Sequence, residues 1–121
     1  MDGIHLLGEW YDCPANTPVF TQAESLRALC IKVATDSGLQ VVGDSFFQFE
    51  PQGVTGTVLL AESHIAIHTW PEAGFVTVDV YVCNLQSDNT AKAEQVFRAL
   101  EVAMKPRRTR FQAIHRGGKD A

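Results

Sequence analysis

The stretch Phe75-Val76-Thr77-Val78-Asp79-Val80-Tyr81-Val82-Cys83 decides the architecture. Valine recurs at every second position, so an extended chain here has one aliphatic face. The other face carries Phe75, Thr77, Asp79, Tyr81 and Cys83. The valine side is ready for helix packing, and the mixed side is less dry. Upstream, Pro71 to Gly74 reads as a turn, preceded by extended stretches at His64–Trp70 and Val54–Leu60 that flank Ala61-Glu62-Ser63. Leu39–Phe49 reads as a further strand, closed by a turn at Pro51-Gln52-Gly53, and Gly3–Trp10 starts the chain as another.

Two segments have helical rather than strand periodicity. Leu26, Leu29, Cys30, Val33 and Ser37 predict a helix over 22–37, with Gly38 as its stop. Thr21-Gln22-Ala23-Glu24 has capping-box spacing at its start, and a loop runs from Cys13 to Pro18. Ala93, Val96, Phe97, Leu100 and Met104 predict a second helix over 90–104, stopped by Pro106 after a loop at Asn84–Asn89. Thr109–His115 reads as the last strand. The order β-α-β-β-β-β-α-β implies an α/β two-layer sandwich, with both helices on one face of a largely antiparallel sheet. The face bearing Tyr81 and Cys83 needs a cover, and a second copy of the chain is the economical one.

With 121 residues the chain, 1–121, makes a single domain. Apolar residues at 45% and charged residues at 20% exclude disorder, coiled coil and collagen. Nothing approaches the roughly 18 uninterrupted apolar residues of a membrane span. Met1-Asp2-Gly3 lacks the positive flank of a signal peptide, so a cytoplasmic location is expected. Charge is asymmetric: 4 bases and 13 acids up to Met104, then 6 bases and one acid from Lys105. The acidic body disfavours nucleic acid and suits a cationic ligand. The basic tail reads as an RNA-binding patch or, more simply, as a solvated final strand. Cys13, Cys30 and Cys83 are odd in number and widely spaced, as reduced thiols are.

The densest group of reactive side chains is Glu62, Ser63, His64, His68 and Glu72, with Cys83 one strand away. Along a strand His64 and His68 share a face but stand about 13 Å apart, too far for one metal, so no metal site is assigned. Gly53-Val54-Thr55-Gly56 lacks the GK[ST] of a phosphate loop and reads as a tight turn. Ser63 and His68 have no third orienting residue at triad spacing. Cys83 closing a valine strand is, on position alone, a buried structural thiol.

The runs Gly53-Val54-Thr55-Gly56, Leu60-Ala61-Glu62-Ser63-His64-Ile65-Ala66-Ile67-His68-Thr69-Trp70-Pro71-Glu72 and Val78-Asp79-Val80-Tyr81-Val82-Cys83 closely resemble the bacterial S-adenosylmethionine decarboxylase proenzymes. Gly3-Ile4-His5-Leu6-Leu7-Gly8-Glu9 extends the likeness, which covers roughly residues 3 to 115. It implies a chain that cuts itself between Glu62 and Ser63 into 1–62 and 63–121. Ser63 becomes a pyruvoyl group, the cofactor that condenses with a substrate amine and accepts the electrons of decarboxylation. The product is the aminopropyl donor for spermidine synthesis. By the same resemblance His68 moves a proton during processing, Thr55 holds the place of a serine that steadies the intermediate, and Cys83 protonates the product carbanion. Phe49 stacks on adenine and Glu72 accepts from the ribose hydroxyls. Processed protomers pair as homodimers.

Two departures stand out. Phe47 occupies a position where relatives commonly have histidine, and Asn84-Leu85-Gln86 follow Cys83 where they commonly have glycine. Two alternatives accompany the main reading: a pyruvoyl-dependent arginine or ornithine decarboxylase of the same family, and an unprocessed regulatory partner.

Overall fold

The valine stretch forms β5 (Phe75–Cys83) near the middle of the sheet, with Val76, Val78, Val80 and Val82 fully buried. The computed structural model describes residues 1–85 and 87–118. Gln86 of the post-Cys83 departure and Lys119 of the basic tail lie outside them. Around β5 stand β1 (Asp2–Tyr11), β2 (Val41–Gln48), β3 (Val54–Leu60), β4 (Ser63–Trp70) and β6 (Arg108–Gly117). Among the described residues they make one six-stranded sheet in the order β2-β3-β4-β5-β1-β6, with every neighbouring pair antiparallel.

The helices are α1 (Pro18–Thr21), α2 (Ala23–Asp36) and α3 (Thr90–Met104). The two long ones lie on the valine face, α2 over β2 and β3 and α3 over β1 and β5. Leu26, Cys30 and Ala34 of α2 and Ala93, Val96, Leu100 and Met104 of α3 are buried there against Val58, Ile65, Ile67 and Trp10. Each buried Leu, Ile, Val or Met among them contributes about 1.5–3 kcal/mol on leaving water. The α/β two-layer arrangement expected from periodicity is the one observed. Among the described residues no helix is long and apolar enough to cross a membrane.

Three local expectations are corrected. Thr21 does not cap α2: it ends α1, its hydroxyl donating to the Thr17 carbonyl, and Gln22 takes the N-cap position without a side-chain bond. Pro18 supplies the fixed φ that starts this extra turn, at the end of the expected loop. Leu39, Gln40 and Phe49 fall outside β2, which carries a bulge between Val41 and Gly43. Gly53 does occupy a turn, at φ 112°, but Gly56 lies in mid-strand opposite Phe46. Its missing side chain leaves room for the Phe46 ring, which a Cβ at Gly56 would overlap.

The basic tail folds as β6 along the acidic body. Arg108 pairs with Asp12 at 3.8 Å and lies 4.2 Å from the Tyr11 ring centroid, while Arg110 faces Glu9 at 3.9 Å. These exposed pairs contribute little each, but they give the positive tail a structural use.

Gly56→Ala should destabilise the fold by about 1–3 kcal/mol through overpacking against Phe46. A lower urea midpoint at unchanged slope checks this.

Candidate active site

The turn Ala61–Glu62 joins β3 to β4, and Ser63 opens β4 opposite Val82 at the end of β5. Antiparallel pairing therefore delivers Cys83 to the Glu62–Ser63 peptide. The Cys83 N–H donates to the Glu62 carbonyl at 2.9 Å, and the Ser63 Oγ and Cys83 Sγ are 3.4 Å apart. Ser63 has φ 145°, a backbone conformation side-chain-bearing residues rarely adopt. A hydroxyl, a hydrogen-bonded carbonyl and a thiol thus meet at a serine of strained backbone. Asn89 joins them, donating from Nδ2 to the Glu62 carboxyl and to the Cys83 carbonyl.

The second group lies at the opposite end of β4. His68 pairs in register with Thr55 of β3, and its Nδ1 is 3.2 Å from the Thr55 Oγ1. The His68 ring stacks with Trp70 at 5.9 Å between centroids. A cavity of about 420 Å³ opens beside them, lined by Phe49, Gly53, Thr55, His68, Trp70 and Glu72. Phe49 is 47% exposed and edge-on to Phe47 at 4.9 Å, so an aromatic pair, not a histidine–aromatic pair, forms this rim.

Spacing along the sequence suggests one neighbourhood, but the strand divides it. Ser63 and His68 are five residues apart on β4, about 17 Å at the rise of an extended chain. Ser63, Glu62 and Cys83 form one cluster; Thr55, His68, Phe49 and Glu72 form the other. His64, Ala66, His68 and Trp70 share the uncovered face by parity, whereas Ile65 and Ile67 are buried beneath the helices. Between the clusters this face carries His5, His64, Asp79 and Tyr81, with Arg116 above the Tyr81 ring at 4.8 Å. Burial pushes the His64 imidazole below its ordinary pKa, neighbouring His5 acting the same way and Asp79 against it.

The family model described as S-adenosylmethionine decarboxylase matches residues 4–117. The chain belongs to that family. It is 36% identical over 115 residues to the S-adenosylmethionine decarboxylase proenzyme of Archaeoglobus fulgidus, covering 95% of this chain and 97% of that one. A second decarboxylase proenzyme, from Aquifex aeolicus, is 37% identical over 115 residues, with 95% and 81% covered. The crystal structure of the adenosylmethionine decarboxylase from Aquifex aeolicus superposes with a TM-score of 0.86 at 36% identity, covering 96% of this chain and 91% of that chain.

Within this decarboxylase fold, sequence reasoning missed Trp70 and Asn89. Parity along β4 was the available signal for Trp70. Asn89 gave none, because its contacts cross from a loop to a turn 27 residues upstream. The other two thiols stand apart from the site: burial, with Asp12 assisting, pushes Cys13 up to about 11, and burial pushes Cys30 up to about 12. Iodoacetamide at pH 8 should leave Cys13 and Cys30 unmodified in the native protein and label both after denaturation, as peptide mass mapping will read.

Proposed function

We propose that this chain is a self-processing, pyruvoyl-dependent decarboxylase of S-adenosylmethionine, supplying the aminopropyl donor for spermidine synthesis. The observation that carries the reading is the Glu62–Ser63 peptide: its carbonyl accepts from the Cys83 N–H, its serine is strained, and a thiol adjoins the serine hydroxyl.

Processing follows from those contacts. The Ser63 Oγ bonds to the Glu62 carbonyl carbon, the peptide C–N bond breaks, and the hydroxyl proton passes to the Ser63 nitrogen. Removal of the Ser63 Cα proton then expels Glu62 as a carboxylate. Water releases the nitrogen of the resulting dehydroalanine as ammonia, leaving residues 63–121 headed by the pyruvoyl group. Cys83 N–H polarises the carbonyl in the first step, and the His68 of a second copy of the chain, oriented by that copy's Thr55, exchanges the proton. The pyruvoyl ketone supplies a covalent electron sink for decarboxylation. Cys83 then delivers a proton from its thiol, Phe49 stacks on the adenine, and Glu72 accepts from the ribose hydroxyls.

The separation of about 17 Å between Ser63 and His68 calls for a homodimer. Two uncovered faces stacked about a two-fold axis bring the Ser63–Cys83 end of one protomer against the Thr55–His68 end of its partner. Exposed Phe47, Leu59, Trp70 and Ile114 on that face provide the apolar area for stacking. Each dimer then has two composite sites.

Intact-mass measurement should find chains 1–62 and 63–121, the second reactive toward a ketone reagent. Ser63→Ala should stay uncut and inactive. Turnover of arginine or ornithine with none of S-adenosylmethionine would reverse the substrate assignment. Cys83→Ala, assayed on whatever fraction is processed, should lower decarboxylation by about 10²–10⁴-fold.

The dimer has its own test. Ser63→Ala and His68→Ala chains, each uncut alone, should complement when co-expressed: the His68→Ala chain becomes cleaved while the Ser63→Ala chain stays whole. Absence of any cleavage would overturn the composite site.

A further inference from the structure

Asn89 is the N-cap residue of α3, yet it does not cap the helix. An asparagine there ordinarily accepts from the second or third helical N–H. Here Asp88 accepts from the Thr90 N–H at 3.0 Å, and the Asn89 side chain turns inward, the residue only 4% exposed. Its Nδ2 donates to the Glu62 carboxyl and, at 2.8 Å, to the Cys83 carbonyl, while Oδ1 accepts from the Ser87 hydroxyl at 3.3 Å. Asn84, the residue that departs from the usual glycine, braces this arrangement. Its Oδ1 accepts from the Asn89 N–H at 2.7 Å and its Nδ2 donates to the Thr90 hydroxyl at 3.2 Å.

We propose that Asn89 is a positioning residue for self-cleavage, holding the Glu62 carbonyl carbon in front of the Ser63 hydroxyl by tying the Glu62 side chain to Cys83. The inference rests on the processing reaction described above. Cys83 meets Glu62 twice: its N–H binds the Glu62 carbonyl at 2.9 Å, and its own carbonyl reaches the Glu62 carboxyl through Asn89. One attachment leaves the Glu62 peptide free to rotate about the hydrogen bond; two fix its orientation. The acyl shift is sensitive to orientation, since a misplacement of about 1 Å costs about 10²-fold in rate. Asn89 touches neither the carbonyl carbon nor the Ser63 hydroxyl, so it acts through Glu62. Every hydrogen-bonding group of its carboxamide is used, which suits a residue whose work is geometric.

The test follows cleavage with time by mass spectrometry in freshly synthesised chains. Asn89→Asp conserves size but sets oxygens against the Glu62 carboxyl and the Cys83 carbonyl. It should slow cleavage about 10–100-fold, with the stalled chain an amide that hydroxylamine does not cut. The double variant Glu62→Gln/Asn89→Asp restores a donor to that pair and should cleave at least about 5-fold faster than Asn89→Asp. Glu62→Gln, which keeps an acceptor for the Asn89 amide, should cleave about 10-fold faster than Glu62→Ala, which removes the tether without adding charge. If Asn89→Asp fails to fold, the Gln-against-Ala contrast at Glu62 decides. Wild-type rates in Asn89→Asp, equal rates in Glu62→Gln and Glu62→Ala, no recovery in the double variant, or accumulation of a hydroxylamine-sensitive ester would each overturn the proposal. A wild-type chain that never cuts would instead refute the processing reaction.

Discussion

A single backbone hydrogen bond, from the Cys83 N–H to the Glu62 carbonyl, joins the end of the central strand to the turn between β3 and β4. Its existence requires β5 to be pinned in register against β4, which the valine row achieves by burying four side chains beneath α2 and α3. A one-residue slip would turn the valines toward the uncovered face and carry Cys83 away from Ser63. Packing on one face of the sheet therefore sets the chemistry at its rim. The same constraint places the Glu62–Ser63 peptide where a strained serine, a thiol and a donor converge, and the serine and the thiol both stand on strands.

The elements legible in the sequence were those with a regular period. β5, α3 and the division of β4 into buried Ile65 and Ile67 against outward His64 and His68 followed from alternation or helical spacing. These patterns report burial, and burial is what the sheet and helices share. The start of α2 was not legible, because Thr21 had two uses for its hydroxyl and the preceding Pro18 settled the choice in favour of an extra turn. Gly56 was misplaced for a similar reason: a glycine opposite an aromatic ring and a glycine in a turn look alike in one dimension.

For the site, residue types and the His64–His68 spacing along a strand were visible, but the start of β4 at Ser63 and the contacts between strands were not. Ser63 and His68 lie close in the motif, and only their placement on an extended strand shows that one protomer keeps them apart. Asn89 was invisible, since its partners come from another part of the chain. The basic tail, by contrast, found an ordinary explanation once β6 lay beside β1 with Arg108 and Arg110 near Asp12 and Glu9.

Cleavage at the proposed Glu62–Ser63 bond has a topological consequence. Residues 1–62 supply β1, β2 and β3, and residues 63–121 supply β4, β5 and β6, so β1 lies clasped between two strands of the other fragment. Severing the turn thus leaves two interlocked polypeptides that separate only by dismantling the sheet. The uncut precursor folds as a unimolecular event, independent of dilution, whereas reassembly of denatured fragments is a second-order encounter governed by mass action. Maturation in this architecture makes the folded state easier to keep than to regain.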